Sequence, residues 1–360
     1  MKVCFEQFLG TNHSWSLVGQ NLARSLVKKG HEVHLCSTNG YEHFPEDLKP
    51  NVKAKLDRAY DMQVSYTAMF NFPRYLSHGN KNRFGIWNYE TTVLPKGFAK
   101  YYKCTDKFLP SSEFSRKVFV ENGIPDEHMV VVPHGIDTEA FSADKKYPLS
   151  TKKKIKILAN IAQPHIRKNI PGLFEAFGRA FTSVDDVCLV AKVSVKKQPE
   201  MQFDIDFYRI LSAFKQKYKN HAEIEVITNF IPDIAELYQA CDVVFSATHA
   251  ECFWLPGLES MASGKLTIAP RWGGQLDFMN DDNSLLIDGK SIMAPKSMQY
   301  WSSSPYAAMF EPNLDEAARL LRQAYENYDE LMKRFKPGID KVRSLYTWDN
   351  AVDKMLGLCA

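Results

Sequence analysis

The sequence predicts an α/β protein made of two Rossmann-like domains, each built on a parallel sheet. Short apolar segments alternate with amphipathic ones along nearly all of the 360 residues, which is the pattern of strands joined by helical crossovers. The alternation is interrupted at residues 142–154, which are polar, contain proline and follow neither hydrophobic period. We therefore expect one domain over 1–145, completed by a C-terminal helix at about 348–360, and a second over 155–340.

The first domain begins with a strand, a helix and a second strand, which together form one βαβ unit. Its predicted strands are 2–8, 31–37, 83–87, 107–110 and 129–133, and its predicted helices are 17–29 and 114–122. After the first strand, Gly10 is followed by no further glycine until Gly19. The turn therefore lacks the G-x-G-x-x-G pattern of dinucleotide-binding folds.

The second domain repeats the alternation with more regular spacing. Its predicted strands are 155–161, 187–193, 223–228, 242–247 and 265–269, and its predicted helices are 171–181, 205–219, 233–240, 256–263 and 314–335. We expect the C-terminal helix of the chain, at about 348–360, to cross back to the first domain. Two such domains joined by a linker leave a cleft, and ligands of parallel sheets bind beyond the carboxyl ends of the strands.

Composition excludes several classes of protein. A net charge of +3 without a dense basic block argues against nucleic-acid binding. Seven cysteines without a C-x-x-C pair indicate neither a disulfide framework nor a zinc site. The first residues resemble a buried strand rather than a signal peptide, and no apolar run reaches the roughly 20 residues of a membrane span. We expect a cytoplasmic protein, with peripheral membrane contact left open.

Two acids stand out in the segment from His249 to Gly264. Glu251 follows a predicted strand, and Glu259 lies on the next helix, which Pro256 is suited to begin. The turn between them would direct backbone N–H groups and a helix N-terminus towards an anion or a sugar hydroxyl. The alternative is that Glu259 only stabilises the N-terminus of its helix by interacting with the helix dipole, and that Glu251 is an acid on the surface of the loop.

A basic pair, Arg167-Lys168, ends the loop after the first strand of the second domain. Arginine offers a fork and lysine a point charge to phosphate oxygens. As an isolated dipeptide, such a pair is more often part of a solvated surface.

These motifs together resemble the family-4 glycosyltransferases of GT-B fold. Glu251 and Glu259 match the E-x7-E signature of that family, and Arg167-Lys168-Asn169 with Gly172–Phe177 resembles its phosphate-binding loop and helix. Further similarities are Pro133–Asp137, Gly273-Gly274 before Asp277-Phe278, and the tail from Phe310 to Trp348.

The resemblance implies a retaining enzyme that takes a sugar from a UDP- or GDP-type donor to a glycan, lipid-linked or other hydroxyl acceptor, with no metal or other cofactor. Glu251 would bind the donor sugar, Glu259 the ribose, and Arg167 with Lys168 the diphosphate. We also assign donor contacts to a wider set of residues: Cys252, Phe253, Trp254, Leu255, Gly10, Asn229 and Ile231.

The sequence departs from the family pattern in three places. Cys252 and Trp254 stand where glycines are usual, which crowds the expected sugar pocket; Cys252 is read as a small buried side chain rather than a nucleophile. The first-domain glycine loop is reduced to Gly10-Thr11-Asn12. The expected histidine is not evident, and we place Glu90 on the acceptor side instead, against the alternative that it starts a helix.

Other functions remain open at this point. A sugar-nucleotide epimerase or a phosphorylase on the same fold is possible from the sequence, as is a binding module without activity. Asp204-Ile205-Asp206 spells the D-x-D with which another transferase fold holds a metal, but it precedes a predicted helix and is read as a surface acid pair.

Overall fold

The computed structural model describes residues 1–10, 14–37, 44–53, 57, 59–76, 80–194, 205–295 and 306–359. The chain divides into two compact units, Met1–Gly135 with Tyr346–Ala360, and Ile136–Leu345. Each unit has a parallel sheet joined by helices, which confirms the predicted fold class.

The first unit is a parallel sheet of five strands within the described residues, in the order β2-β1-β3-β4-β5. The strands are β1 Lys2–Gln7, β2 Glu32–Ser37, β3 Met62–Tyr66, β4 Arg83–Ile86 and β5 Lys107–Phe108. The helices are α1 Ser14–Lys28, α2 Phe72–Tyr75, α3 Glu113–Glu121 and, from the end of the chain, α10 Trp348–Leu356.

Strand β3 was not predicted, although it lies at the centre of this sheet. It is buried along its whole length, yet Gln63 and Ser65 interrupt its apolar pattern. Burial of these side chains is compensated by hydrogen bonds, since Gln63 Nε2 donates to the carbonyl of Tyr75 at 2.6 Å. By contrast, the predicted strand 129–133 is not a regular strand. Met129 forms an isolated bridge to Phe108, and the N–H groups of Val130 and Val132 donate to the carbonyls of Phe108 and Pro110.

The second unit has a parallel sheet of six strands among the residues described, in the order β11-β10-β9-β6-β7-β8. The strands are β6 Ile155–Ala162, β7 Val187–Val193, β8 Glu223–Ile227, β9 Val243–Phe245, β10 Leu266–Pro270 and β11 Leu285–Ile287. The helices are α4 Ile170–Ala180, α5 Phe207–Lys217, α6 Ala235–Gln239, α7 Leu255–Ala262, α8 Leu314–Glu326 and α9 Tyr328–Leu345. An antiparallel hairpin, β12 Gly289–Met293 and β13 Ala308–Pro312, follows β11.

The sequence of the central strands explains their position. Strand β7 reads Val-Cys-Leu-Val-Ala-Lys-Val and is buried except at Lys192. A continuous apolar run of this kind suits a parallel strand that is covered on both faces. The predicted single helix 314–335 is instead two helices, because α8 ends at Asn327, whose backbone leaves the helical conformation.

The boundary between the units falls after Gly135 rather than in the expected linker 142–154. That polar segment is attached to the second unit by backbone hydrogen bonds. The N–H groups of Ser150 and Thr151 each donate to the Glu225 carboxylate at 2.8 Å, and that of Tyr147 donates to the carbonyl of Glu236 at 2.9 Å. Residues 142–154 are therefore a polar segment that is hydrogen-bonded to the surface of the second unit, not a free linker.

Helix α10 returns to the first unit and packs against α1, as expected. Asp349 accepts from Ser25 Oγ at 2.6 Å and from Lys28 Nζ at 2.9 Å, and Asp353 pairs with Lys29 at 2.7 Å. Among the helices of the described residues, none is long and apolar enough to cross a bilayer.

Candidate functional site

The predicted site residues of the second unit follow three neighbouring strands of its sheet. Arg167 and Lys168 come after β6, Glu251 comes after β9, and the Gly273-Gly274 pair comes after β10. These strands are adjacent and parallel, so their carboxyl ends meet at one edge of the sheet. Segments far apart in sequence are thereby brought together, as the prediction required.

Glu251 is the charged centre of this edge. Its side chain is only 6% exposed, and one carboxylate oxygen, Oε1, lies 2.8 Å from Arg167 Nη1 and 2.6 Å from Lys168 Nζ. Burial by itself raises the pKa of Glu251, but the two cations outweigh that effect and leave the pKa below its ordinary value. Glu251 is therefore an ionised carboxylate held between two positive charges.

The two loops that carry these charges are connected through their backbones. The carbonyl of Arg167 accepts from the N–H of His249 at 2.7 Å and from Thr248 Oγ1 at 2.8 Å. Asn169 has the left-handed φ of 48°, caps helix α4 by accepting from the N–H of Gly172, and donates to the carbonyl of Ala247 at 2.9 Å. Arg167 and Lys168 are thus held in a fixed position relative to Glu251 and to helix α4.

The glycine pair after β10 supports Glu251 from the other side. The N–H of Gly274 donates to the carbonyl of Glu251 at 2.9 Å. Gly273 has a φ of 97°, and a Cβ at this position would come within 2.5 Å of that same carbonyl oxygen. A side chain here would displace the loop, which explains the need for glycine.

Trp254 shows how the chain accommodates a bulky residue in this loop. It is 4% exposed and has a φ of 68° immediately before helix α7, in a region that is costly for a residue with a large side chain. Its indole lies against Gly257, where a Cβ would come within 2.1 Å of the ring. The Trp254 side chain therefore packs partly against the first turn of α7.

Of the other residues predicted to bind a donor in this unit, three lie in the same turn and two follow strand β8. Cys252 and Phe253 are buried, and the Phe253 ring packs on Phe278 with centroids 5.3 Å apart. Leu255 begins helix α7. Asn229 and Ile231 follow the edge strand β8, with Asn229 exposed and Ile231 buried.

Glu259 lies one turn into α7 and is half-buried. Its Oε2 accepts from the hydroxyl of Tyr238 at 2.6 Å, and Asn160 Nδ2 donates to the same hydroxyl at 3.0 Å. Burial raises the pKa of Glu259 to about 7, and the hydrogen bond from Tyr238 opposes that rise. Tyr238 and Asn160 were not predicted from the sequence, because Tyr238 is 21 positions from Glu259 and 78 from Asn160, and no local motif spans such distances.

In the first unit, Glu90 is half-buried and follows strand β4. Residues 87–90 have no helical structure, and the next helical turn begins at Ala99. Glu90 thus does not start a helix. Gly10 is buried after β1, whereas Thr11 and Asn12 of the reduced glycine loop lie outside the described residues.

A neutral network occupies the carboxyl edge of this first sheet. Asn88 Nδ2 donates to the hydroxyl of Tyr66 and lies 3.0 Å from His134 Nε2, and Asn88 Oδ1 accepts from Ser111 Oγ at 2.8 Å. All four side chains are buried. Burial lowers the pKa of His134 to about 3, so its imidazole is neutral at ordinary pH.

Within the described ranges, no group of three His, Cys, Asp or Glu side chains is placed to hold a metal ion. Asp206 of the D-x-D sequence caps helix α5, its carboxylate accepting from the N–H of Arg209 at 3.0 Å. Asp204 lies outside the described residues.

By sequence, this chain is similar to glycosyl transferases. Residues 152–297 match the family model described as glycosyl transferases group 1. A protein of the Sulfolobus islandicus filamentous virus, provisionally named glycosyltransferase 45, is 22% identical over 342 residues, covering 93% of this chain and 86% of the viral protein.

Solved structures show the same fold over nearly the whole chain. A glycosyltransferase from Rickettsia africae superposes with a TM-score of 0.73 at 15% identity, covering 99% of this chain and 97% of the other. Anabaena HepE, solved in complex with UDP-glucose, superposes with a TM-score of 0.69 at 14% identity, covering 99% and 98%. At these identities the likeness concerns the fold. Residues 152–297 thus match the group 1 glycosyl transferases, and the two units together have the fold of GT-B glycosyltransferases.

Proposed function

We propose that this protein is a retaining, metal-independent glycosyltransferase of the family-4 type, which moves a sugar from a UDP- or GDP-type donor to the hydroxyl of a glycan or lipid-linked acceptor. The observation that supports this best is the cluster of Glu251 with Arg167 and Lys168, at the strand ends of a domain that matches the group 1 glycosyl transferases. HepE, of the same fold, was solved with UDP-glucose bound.

The cluster has the charges that transfer from a nucleotide sugar needs. A nucleoside diphosphate leaves with negative charge, and cations already in position stabilise that charge without reorganisation. Both cations contact Glu251 Oε1. A bound diphosphate would compete for them, leaving the Glu251 carboxylate to accept hydrogen bonds from the sugar hydroxyls.

Retention and metal independence rest on the family resemblance and on this charge arrangement. Two cations can neutralise a diphosphate in the role that Mg²⁺ has elsewhere. With no enzymic nucleophile assigned, catalysis would come mainly from positioning and charge stabilisation, with the leaving phosphate oxygen taking the acceptor proton. We place the protein in the cytoplasm, with Glu90 on the acceptor side.

A donor panel tests the proposal. The protein is incubated with UDP- and GDP-linked sugars, with and without EDTA, and release of nucleoside diphosphate is followed. Steady release that survives EDTA, with an α-configured product from an α-configured donor, is the expected result. Saturable binding without release would identify a binding module, and loss of release in EDTA that manganese restores would contradict metal independence.

The basic pair gives a second test. Lys168→Ala is expected to weaken UDP binding about 10- to 100-fold, the range for losing a hydrogen bond to a charged group, while uridine binding is unchanged. Lys217→Ala is the matched control, because Lys217 also pairs with a glutamate, Glu175, at 2.8 Å but lies on the surface. Equal weakening of UDP and uridine would show that the loop is only structural.

A further inference from the structure

We propose that Tyr238 and Asn160 form a hydrogen-bonded relay that positions Glu259 for the donor ribose, which makes them positioning residues for the transfer reaction. This inference rests on the proposed function, since it takes Glu259 as the ribose-binding group. Its basis is a geometry that joins three elements of the second unit: Asn160 on β6, Tyr238 on α6 and Glu259 on α7.

The direction of the hydrogen bonds is determined by the chemistry of the groups. The Asn160 amide donates to the Tyr238 oxygen at 3.0 Å, so the single hydroxyl proton is directed to Glu259 Oε2 at 2.6 Å. Tyr238 is fully buried, and burial raises the pKa of its phenol well above the ordinary value. The hydroxyl therefore remains a donor at all working pH values.

The tyrosine ring is also held in place by packing. It lies against Phe141 with ring centroids 5.7 Å apart, at an interplanar angle of 67°. A buried ring with both sides of its hydroxyl engaged has little freedom to move. The Glu259 carboxylate is thus fixed at Oε2 by a rigid donor.

The other carboxylate oxygen is left for a ligand. In the part of the chain that the structure describes, Glu259 Oε1 has no hydrogen-bond partner, and the side chain is half-buried rather than enclosed. A carboxylate with one oxygen fixed and the other available is suited to accept from the hydroxyls of a ribose. By donating to the carboxylate, Tyr238 also favours its ionised form, the better acceptor.

A ligand that lacks the ribose hydroxyls isolates this interaction. We define the ribose ratio as the Kd of 2′,3′-dideoxy-UDP divided by the Kd of UDP, measured by calorimetry on the full chain. Hydroxyls bound by a charged carboxylate make this ratio about 10 to 100 in the unaltered protein. Tyr238→Phe, which keeps the ring and removes the hydroxyl, is expected to lower the ratio about 3- to 10-fold.

Asn160→Ala is expected to lower the ratio less, about 2- to 3-fold, because the hydroxyl can still donate to Glu259. The matched control is Tyr218→Phe, since the Tyr218 hydroxyl donates to another glutamate of this unit, Glu175, at 2.8 Å. That control should leave the ratio unchanged. Pyrophosphate affinity, and kcat with the selected donor, should stay within about 2-fold in Tyr238→Phe, while KM rises, as for a lost uniform binding interaction.

The possible outcomes distinguish the role of Tyr238 from the ribose-binding role of Glu259. A ratio that falls in Glu259→Gln but stays unchanged in Tyr238→Phe overturns the relay and leaves the ribose role of Glu259 in place. A ratio unchanged in Glu259→Gln overturns both. Parallel losses of UDP, dideoxy-UDP and pyrophosphate affinity in Tyr238→Phe would show a purely structural tyrosine and also overturn the relay.

Discussion

The carboxyl edges of the two parallel sheets differ in charge. In the second unit, loops after three adjacent strands place an ionised Glu251 between Arg167 and Lys168. In the first unit, Tyr66 at the end of β3, Ser111 after β5 and His134 form a neutral network around Asn88, which follows β4. Burial lowers the pKa of His134, so its imidazole stays uncharged. The same sheet geometry thus carries a charged cluster in one unit and a buried network of neutral side chains in the other.

The comparison shows that the architecture does not decide the chemistry of a strand edge. A charged cluster has an energetic cost when desolvated and persists only where the partners are close and well hydrogen-bonded. A neutral network stabilises its loops without attracting an anion. Changes in the charged cluster should therefore affect ligand binding and turnover as well as stability, whereas changes in the neutral network should affect stability alone.

The largest effect is expected for Glu251→Ala. Turnover should fall about 10²- to 10³-fold, because a preorganised charged contact to the sugar is lost. Stability should also fall, by about 1 to 3 kcal/mol, since two partly buried cations lose their carboxylate. Pyrophosphate affinity should rise, because one competing negative charge is removed.

Initial rates, thermal unfolding and calorimetry measure these three quantities. Glu175→Ala is the control, because Glu175 contacts both Arg179 and Lys217 on the surface of the same unit. Unchanged turnover in Glu251→Ala, or weaker pyrophosphate binding, would contradict the assigned role of the cluster.

Glu90→Gln should lower transfer by about 10², because a charged group that orients the acceptor hydroxyl for attack is lost. Donor affinity and the configuration of the product should not change, since we place Glu90 on the acceptor side. Rates with the acceptor and UDP titrations separate the two effects. Glu113→Gln, on α3 of the same unit, is the control. Full transfer activity in Glu90→Gln would remove it from the mechanism.

Asn88→Ala tests the role of the neutral network in the first unit. Tyr66, Ser111 and His134 would each lose a buried hydrogen-bond partner, so the free energy of unfolding should decrease by about 1 to 3 kcal/mol. UDP affinity should remain unchanged. Asn71→Ala is the control, because the half-buried Asn71 side chain donates to Thr67 Oγ1 at 3.2 Å, outside the network around Asn88. A loss of UDP affinity without a loss of stability would show that this edge also binds the nucleotide.

The smallest expected effect concerns pH. The pKa of Glu259 is raised to about 7, so its carboxylate is ionised above that pH and becomes protonated as the pH falls below it. The ribose ratio should therefore be larger at pH 8 than at pH 6, by at most about tenfold, since one proton is involved. The phosphates of UDP and dideoxy-UDP titrate alike and cancel in the ratio. The same pH dependence in Glu259→Gln would assign it to another group.

Local patterns in the sequence were sufficient for the fold class and for the candidate residues of the second unit. The useful patterns are all local in the sequence. They are continuous apolar strands such as β7, the glycines of the turns and the two glutamates eight positions apart. They predicted which segments end at the sheet edge. They missed β3, because Gln63 and Ser65 are satisfied by partners outside the strand.

Only the tertiary structure decided how the candidate residues are paired. Glu251 contacts Lys168 and Arg167, which lie 83 and 84 residues earlier, and Glu259 accepts from a hydroxyl of another helix. Sheet order and not sequence order brings these groups together. The polar segment 142–154 belongs to the second unit for the same reason, since its backbone donors find partners there. A sequence shows which groups are able to carry charge or donate hydrogen bonds, whereas folding determines which partner each group meets.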